Sequence, residues 1–130
     1  MVDVKRQDLR TFSVLGTTTN QNVGEDGVGS AAEGVPENHR RYVWYVKAED
    51  PDSNVIGTIY ESLAGVLTVK DQFILTNLDK KQHPEGTPDP TKPVFFARGS
   101  GFIAVQTSSP GSVGSGRVLM TFGYYDALPQ

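Results

Sequence analysis

From residue 41 onward the chain is a succession of short runs in which β-branched and aromatic residues alternate with polar ones. That two-residue period admits strands and little else. Arg41 to Ala48 (RYVWYVKA) is the strongest run, rich in strand-forming residues. Unbroken alternation would put Tyr42, Trp44 and Val46 on one face, and Val43, Tyr45 and Lys47 on the other. Val55 to Glu61, Gly65 to Val69 and Gln72 to Asn77 read as three further strands. Lys70-Asp71 is expected to join the last two, although that pair lacks the usual glycine. Val94 to Ala97 and Gly101 to Thr107 follow, joined through Arg98-Gly99-Ser100. Gly116 to Tyr125 closes the chain, with Val118, Met120, Phe122 and Tyr124 sharing a face. Only Ile59 to Val69 approaches a helical pattern, and Gly65 and the β-branched residues argue against it. With Thr11 to Gly16 as a short first strand, at an edge or on a partner, the total is about eight strands. The expected fold is all-β: a two-sheet antiparallel β-sandwich, jelly-roll-like, with an extended N-terminal arm. An immunoglobulin-like sandwich is the competitor.

The arm is expected because Gly16 to His39 (GTTTNQNVGEDGVGSAAEGVPENH) holds almost no large apolar side chain. Val23, Val28 and Val35 recur there too sparsely to build a core. The chain therefore divides into residues 1–39, a strand and arm, and residues 40–130, the sandwich domain. Two readings stay open for the arm: a long surface loop, which is uncommon in a compact domain, or a segment that orders by lying on another subunit. On the second reading the interface is carried by Phe12, Val14, Leu15, Val23, Val28 and Val35. Elsewhere, Glu49 to Asn54 reads as a turn around Pro51. Leu78 to Lys92, with three prolines and six charges, reads as an exposed loop. Ser108 to Ser115 is a Gly/Ser turn.

At 130 residues the chain is long enough for one core. Its net charge of −3 argues against nucleic acid as a partner. The absence of cysteine removes disulfides, thiolate metal sites and cysteine nucleophiles. Met1 to Arg6 has no apolar stretch behind its charges, so no signal peptide is expected, and no run is long enough for a membrane span. A soluble protein made in a cytoplasm is the expectation.

Asp50-x-Asp52-x-Asn54 with Glu61 at the twelfth position resembles a calcium loop, but Val55 stands where glycine is needed and the flanks read as strands. A turn accounts for the same residues. His39 and His83 sit in polar loops without zinc-ligand spacing, and no nucleophile-elbow pattern occurs. Lys5-Arg6, Arg10 and His39-Arg40-Arg41 are small basic clusters, read as solvated charges balanced by Asp3, Asp8 and Glu37. The pairs Gly27/Gly29, Gly99/Gly101 and Gly114/Gly116 lack the strand-to-helix context of a phosphate loop and are turn glycines. Tyr42, Trp44, Tyr45, Tyr60, Tyr124 and Tyr125 serve chiefly as core, with an outward sugar-binding platform as the alternative.

The segment PVFFARGSGFIAVQTSSPGSVGSGRVLMTFGYYD, residues 93–126, resembles the closing strands of small β-sandwich capsid decoration (cement) proteins of tailed bacteriophages and archaeal viruses. The likeness lies in an apolar strand leading through a Gly/Ser/Pro turn into a final strand that ends in paired aromatics. It covers about a quarter of the chain. It implies a non-enzymatic virion protein on the capsid exterior, without cofactor or metal, forming a homo-oligomer, most simply a homotrimer, and binding the major capsid protein. A carbohydrate- or receptor-binding module, or a tail or fibre component, is the alternative.

Overall fold

The computed structural model describes residues 9–51, 54–76, 78–108 and 117–129. Ten strands follow in order: β1 (Arg10–Gly16), β2 (Gln21–Gly24), β3 (Gly27–Val28), β4 (Arg40–Glu49), β5 (Val55–Leu63), β6 (Val66–Leu75), β7 (Lys80–His83), β8 (Phe95–Arg98), β9 (Phe102–Ser108) and β10 (Val118–Ala127). They form two antiparallel sheets. Sheet A has the order β1-β10-β4-β7 with β8 also on β4, and sheet B the order β3-β2-β9-β5-β6. Strands therefore pair from the ends of the chain inward: β1 with β10, β2 with β9, β4 with β7 and β8, β5 with β6. A long hairpin rolled into two layers has this connectivity, which is that of a jelly roll.

The core is built by the inward faces of the two sheets. β10 contributes Val118, Met120, Phe122 and Tyr124 as the alternation predicts, all essentially inaccessible. Sheet B answers with Val55, Ile59, Phe73, Leu75, Ile103 and Val105. Gly57 lies against the Met120 methyl, where a β-carbon would collide with it. Phe12 stacks on Phe122, with ring centroids 4.8 Å apart.

Three expectations are corrected by register. In β4, Tyr45 lies opposite Gly123 and Val43 opposite Tyr124, leaving Trp44 as an extra residue. This bulge breaks the alternation, so Val43 and Val46, three apart, both point inward. Lys70-Asp71 is not a turn. β6 runs unbroken from Val66 to Leu75, and Lys70 is bulged because Ile59 faces Asp71 while Tyr60 faces Val69. The turn lies at Ala64-Gly65, whose φ angles of 52° and 80° suit a two-residue hairpin. Finally, the expected loop 78–92 yields β7, because residues 80–83 precede its first proline and pair with Val46 to Glu49.

The largest correction concerns the arm. Residues 16–39 do not extend away from the sandwich; they contribute β2 and β3 and help close its end. Val23 pairs with Ile103 and is fully buried, and Val35 is buried between backbone bonds to Gly101 and Ser100. The polar segment needs few apolar side chains, because its main chain is satisfied by strand pairing. Charge fastens it further. Glu25 receives hydrogen bonds from Arg10 at 2.7 Å and from the Tyr124 hydroxyl at 2.9 Å. Those two donors, Tyr124 foremost, hold its carboxyl below the usual range. The expected division at residue 39 therefore has no counterpart in the packing, since strands on both sides of it share both sheets.

Candidate functional site

The β5–β6 hairpin lies at one side of sheet B, with β6 as the outermost strand. Inward positions on β5 are Val55, Gly57, Ile59 and Glu61, so Ile56, Thr58, Tyr60 and Ser62 face outward. The register places Ile74, Gln72, Val69 and Leu67 beside them on β6, and Ser108, Gln106, Ala104 and Phe102 on β9. None of these outward side chains is charged. The opposite face of the molecule differs: sheet A presents Lys47 and Glu49, 3.8 Å apart, with Lys80 beside them.

The apolar members of this face on β6 are open to water, whereas Ile56, Tyr60 and Phe102 are half-buried and Ala104 is buried. Leu67 is 46% exposed, Val69 57% and Ile74 65%, and Val66 at the hairpin end is 63% exposed. Isolated exposed aliphatics are ordinary; here Leu67, Val69 and Ile74 stand in one row along a single strand. The two open sides of β6 are treated differently. Along its edge, Lys81 Nζ donates to the Ile74 carbonyl at 2.8 Å, and the Asp71 carboxylate accepts from the Gln72 N–H at 2.8 Å. These side chains occupy groups that an added strand would need, which is how sheet edges are commonly protected. The outer face carries no such protection.

Between β6 and the β7/β8 edge of sheet A, side chains close the sandwich where no backbone pairing exists. His83 Nδ1 meets the Asp71 carboxylate at 2.8 Å, and its ring stacks on Phe73 with centroids 4.2 Å apart. Lys70 lies over the Phe96 ring at 5.4 Å, and Arg40 lies over the same ring at 4.4 Å. Glu61, fully buried, accepts from the Arg98 guanidinium at 2.7 Å and from the Arg98 N–H at 2.7 Å. Burial alone would push the Glu61 carboxyl up; the Arg98 bonds outweigh it and hold the group below its ordinary value. A cleft of about 480 Å³ opens beside this seam, lined by Gln72, Phe73, Lys80, Lys81, Gln82 and His83. Three of its polar groups are held in structural bonds, Lys80 on Glu49, Lys81 on Ile74 and His83 on Asp71, and Glu85 also lines it. The seam is a closure that fixes how β6 and its outer face are held.

The residues expected at an interface divide into two sets. Phe12, Val14, Val23 and Val35 are consumed by the chain's own core, whereas Leu15 and Val28 are exposed. The calcium loop falls partly outside the described residues, at Asp52 and Ser53. Of its other members, Glu61 is held by Arg98. Among the described residues no group of three or more His, Asp or Glu side chains could hold a metal ion. His39 bonds the Glu37 carbonyl, and His83 is part of the seam rather than a solvated loop residue. Of the basic clusters, Arg41 is buried on Asp126 and Arg10 pairs with Glu25; Lys5 and Arg6 lie outside the described residues. Gly27, the first residue of β3, and Gly29, just after it, have positive φ, in keeping with turn glycines, while Gly114 and Gly116 lie outside the described residues, as does most of the Ser108–Ser115 turn. Tyr42, Tyr124 and Tyr125 are buried; Trp44 and Tyr45 meet edge-on at 79°, so they offer no flat platform for a sugar ring.

The outward row on β6 was the feature sequence reasoning passed over. Its signal is Leu67 and Val69, two residues apart on one face and preceded by a further apolar residue, Val66, on the other. The chain matches no protein-family model, no curated protein and no solved structure.

Proposed function

We propose that the protein is a structural component of a virus particle, a decoration or cement protein that sits on the capsid exterior and stabilises the shell by contacts with its own copies and with the major capsid protein. The observation that carries this reading is the uncharged outer face of β9, β5 and β6, with the exposed aliphatics Leu67, Val69 and Ile74 along β6. Interface centres are depleted in charge, and a water-exposed sheet face ordinarily is not. The jelly-roll connectivity adds support by analogy, since capsid domains and lectins both use it, and fold alone assigns no function. The likeness of residues 93–126 to decoration proteins points the same way.

The mechanism differs from arm exchange. With residues 16–39 folded into their own sandwich, a neighbour is gripped by rigid surface rather than by a wrapping segment. Each contact is small, and a repeating shell multiplies it through effective concentration. The test mixes purified protein with shells of the virus that encodes it and follows cosedimentation. Saturable binding at a fixed copy number per capsid subunit is expected, with the protein in a closed oligomer; protein left wholly in the supernatant overturns the reading. Carbohydrate or receptor binding, or a place in a tail or fibre, would show instead as attachment to glycans or tails with bare shells.

A further inference from the structure

We infer that the outer face of sheet B is a self-association surface whose occupant is the same face of a second copy. This rests on the structural reading above and names the surface and the partner. The face spans β9, β5 and β6, with Leu67, Val69 and Ile74 most exposed and Ile56, Tyr60 and Phe102 beside them.

Charge selects the occupant. The chain carries 12 Lys and Arg against 15 Asp and Glu, so two copies repel weakly at long range and a contact through a charged surface has to match opposite signs. The sheet A face, with Lys47, Glu49 and Lys80, would have to match its charges on a partner. The sheet B face has none to match. Two such faces meet without an unpaired charge and without repulsion, which is the requirement an isologous contact makes of a surface. A partner with a charged surface would leave its own ions desolvated there.

Geometry selects face over edge. Strand addition at β6 would have to displace Lys81 from the Ile74 carbonyl and Asp71 from the Gln72 N–H. Stacking one sheet on another costs neither bond, and sheets pack in this way about 10 Å apart. Three strands about 4.8 Å apart, over seven residues of about 3.3 Å, give a patch roughly 14 Å by 23 Å. That is smaller than the ~800 Å² per partner of a standard interface. The contact is therefore weak between free copies and effective where a shell holds copies side by side.

Sedimentation velocity of the full chain over about a hundredfold range of concentration reads this directly. Wild-type protein is expected to shift reversibly from monomer to a larger species. Val69→Lys and Ile74→Lys each place a charge on the face, and each weakens association at least about tenfold. Leu15→Lys, on the other sheet and also exposed, leaves it unchanged. Both face positions are more than half exposed, so the variants keep the wild-type circular dichroism and denaturation midpoint. A monomer at every concentration, or an oligomer that the two face variants leave intact, overturns the inference. Shell cosedimentation of the same preparations separates the two readings. A strictly monomeric protein that still decorates shells refutes the self-contact alone, and a self-associating protein that never binds shells refutes the virion role alone.

Discussion

Substituting Val23 with alanine tests whether the polar N-terminal third is part of the core. Val23 is wholly inaccessible and pairs with Ile103 in β9. Removing two carbons forfeits about 1.6 kcal/mol of transfer free energy at ~0.8 kcal/mol each. A residual cavity of about 40 Å³ adds about 1 kcal/mol at ~24 cal/mol per Å³. The expected loss is about 2–3 kcal/mol. Val28→Ala is the internal control, because Val28 comes from the same segment, pairs with Val23 across β2 and β3, and is 44% exposed. Its expected cost is under about 0.5 kcal/mol. Urea denaturation followed by Trp44 fluorescence and by far-ultraviolet circular dichroism gives both values. The two probes should coincide, and Val23→Ala should lower the midpoint without changing the slope. Equal small effects from both substitutions, or a separate early transition in wild type, would show that the segment is held independently of the sandwich and refute the reasoning.

Three further outcomes follow from buried polar groups and close packing. Arg98→Ala removes the guanidinium from the buried Glu61 carboxylate and leaves it the residue 98 N–H, whereas Glu61→Gln leaves an exposed guanidinium in water, so the arginine variant has the lower denaturation midpoint near neutral pH. The sign with pH is fixed by linkage. Glu61 is held below its ordinary value of about 4.3, so its contribution in wild type is present above that pH and is lost as the pH falls through the lowered folded value. Without the Arg98 guanidinium, only the residue 98 N–H and the Lys70 charge oppose burial, so the carboxyl rises and the penalty of Arg98→Ala shrinks as the pH is lowered toward about 4; a gap between variant and wild type that widens in acid contradicts this. Asp126→Ala removes the partner that Arg41 binds at 2.8 and 3.0 Å, leaving a fully buried cation, and should cost about 3 kcal/mol in denaturant titration. Gly123→Ala places a methyl group in the Tyr45 ring, which lies flat over this position, and should cost about 1–3 kcal/mol, with Tyr45→Ala restoring part of it in the double variant.

The parts of the fold that could be read from the letters are those where one strand keeps an unbroken alternation. Val118 to Tyr124 does so, and all four alternate residues are in the core. β4 and β6 do not, because the bulges at Trp44 and Lys70 reverse the faces midway. A bulge is decided by the partner strand, and one residue of slip moves every later side chain to the other face. β7, with the sequence KKQH, has no apolar signature; its pairing with β4 is a tertiary outcome. The same holds for residues 16–39, where Val23, Ala32 and Val35 are the buried apolar residues of a polar stretch whose backbone finds partners in β9 and at Gly101. The candidate surface was half legible. The run Val66 to Val69 put Leu67 and Val69 on one face, but the misplaced turn at Lys70-Asp71 hid that Leu67, Val69 and Ile74 share one outward row.

Electron cryomicroscopy of the virus particles to which the proposed role assigns this protein tests the central claim most directly. The account predicts jelly-roll density on the capsid exterior at regular positions, with the outer face of β9, β5 and β6 turned toward a neighbouring copy. Shells bearing no such density, or copies whose sheet B face looks out into solvent, would contradict it.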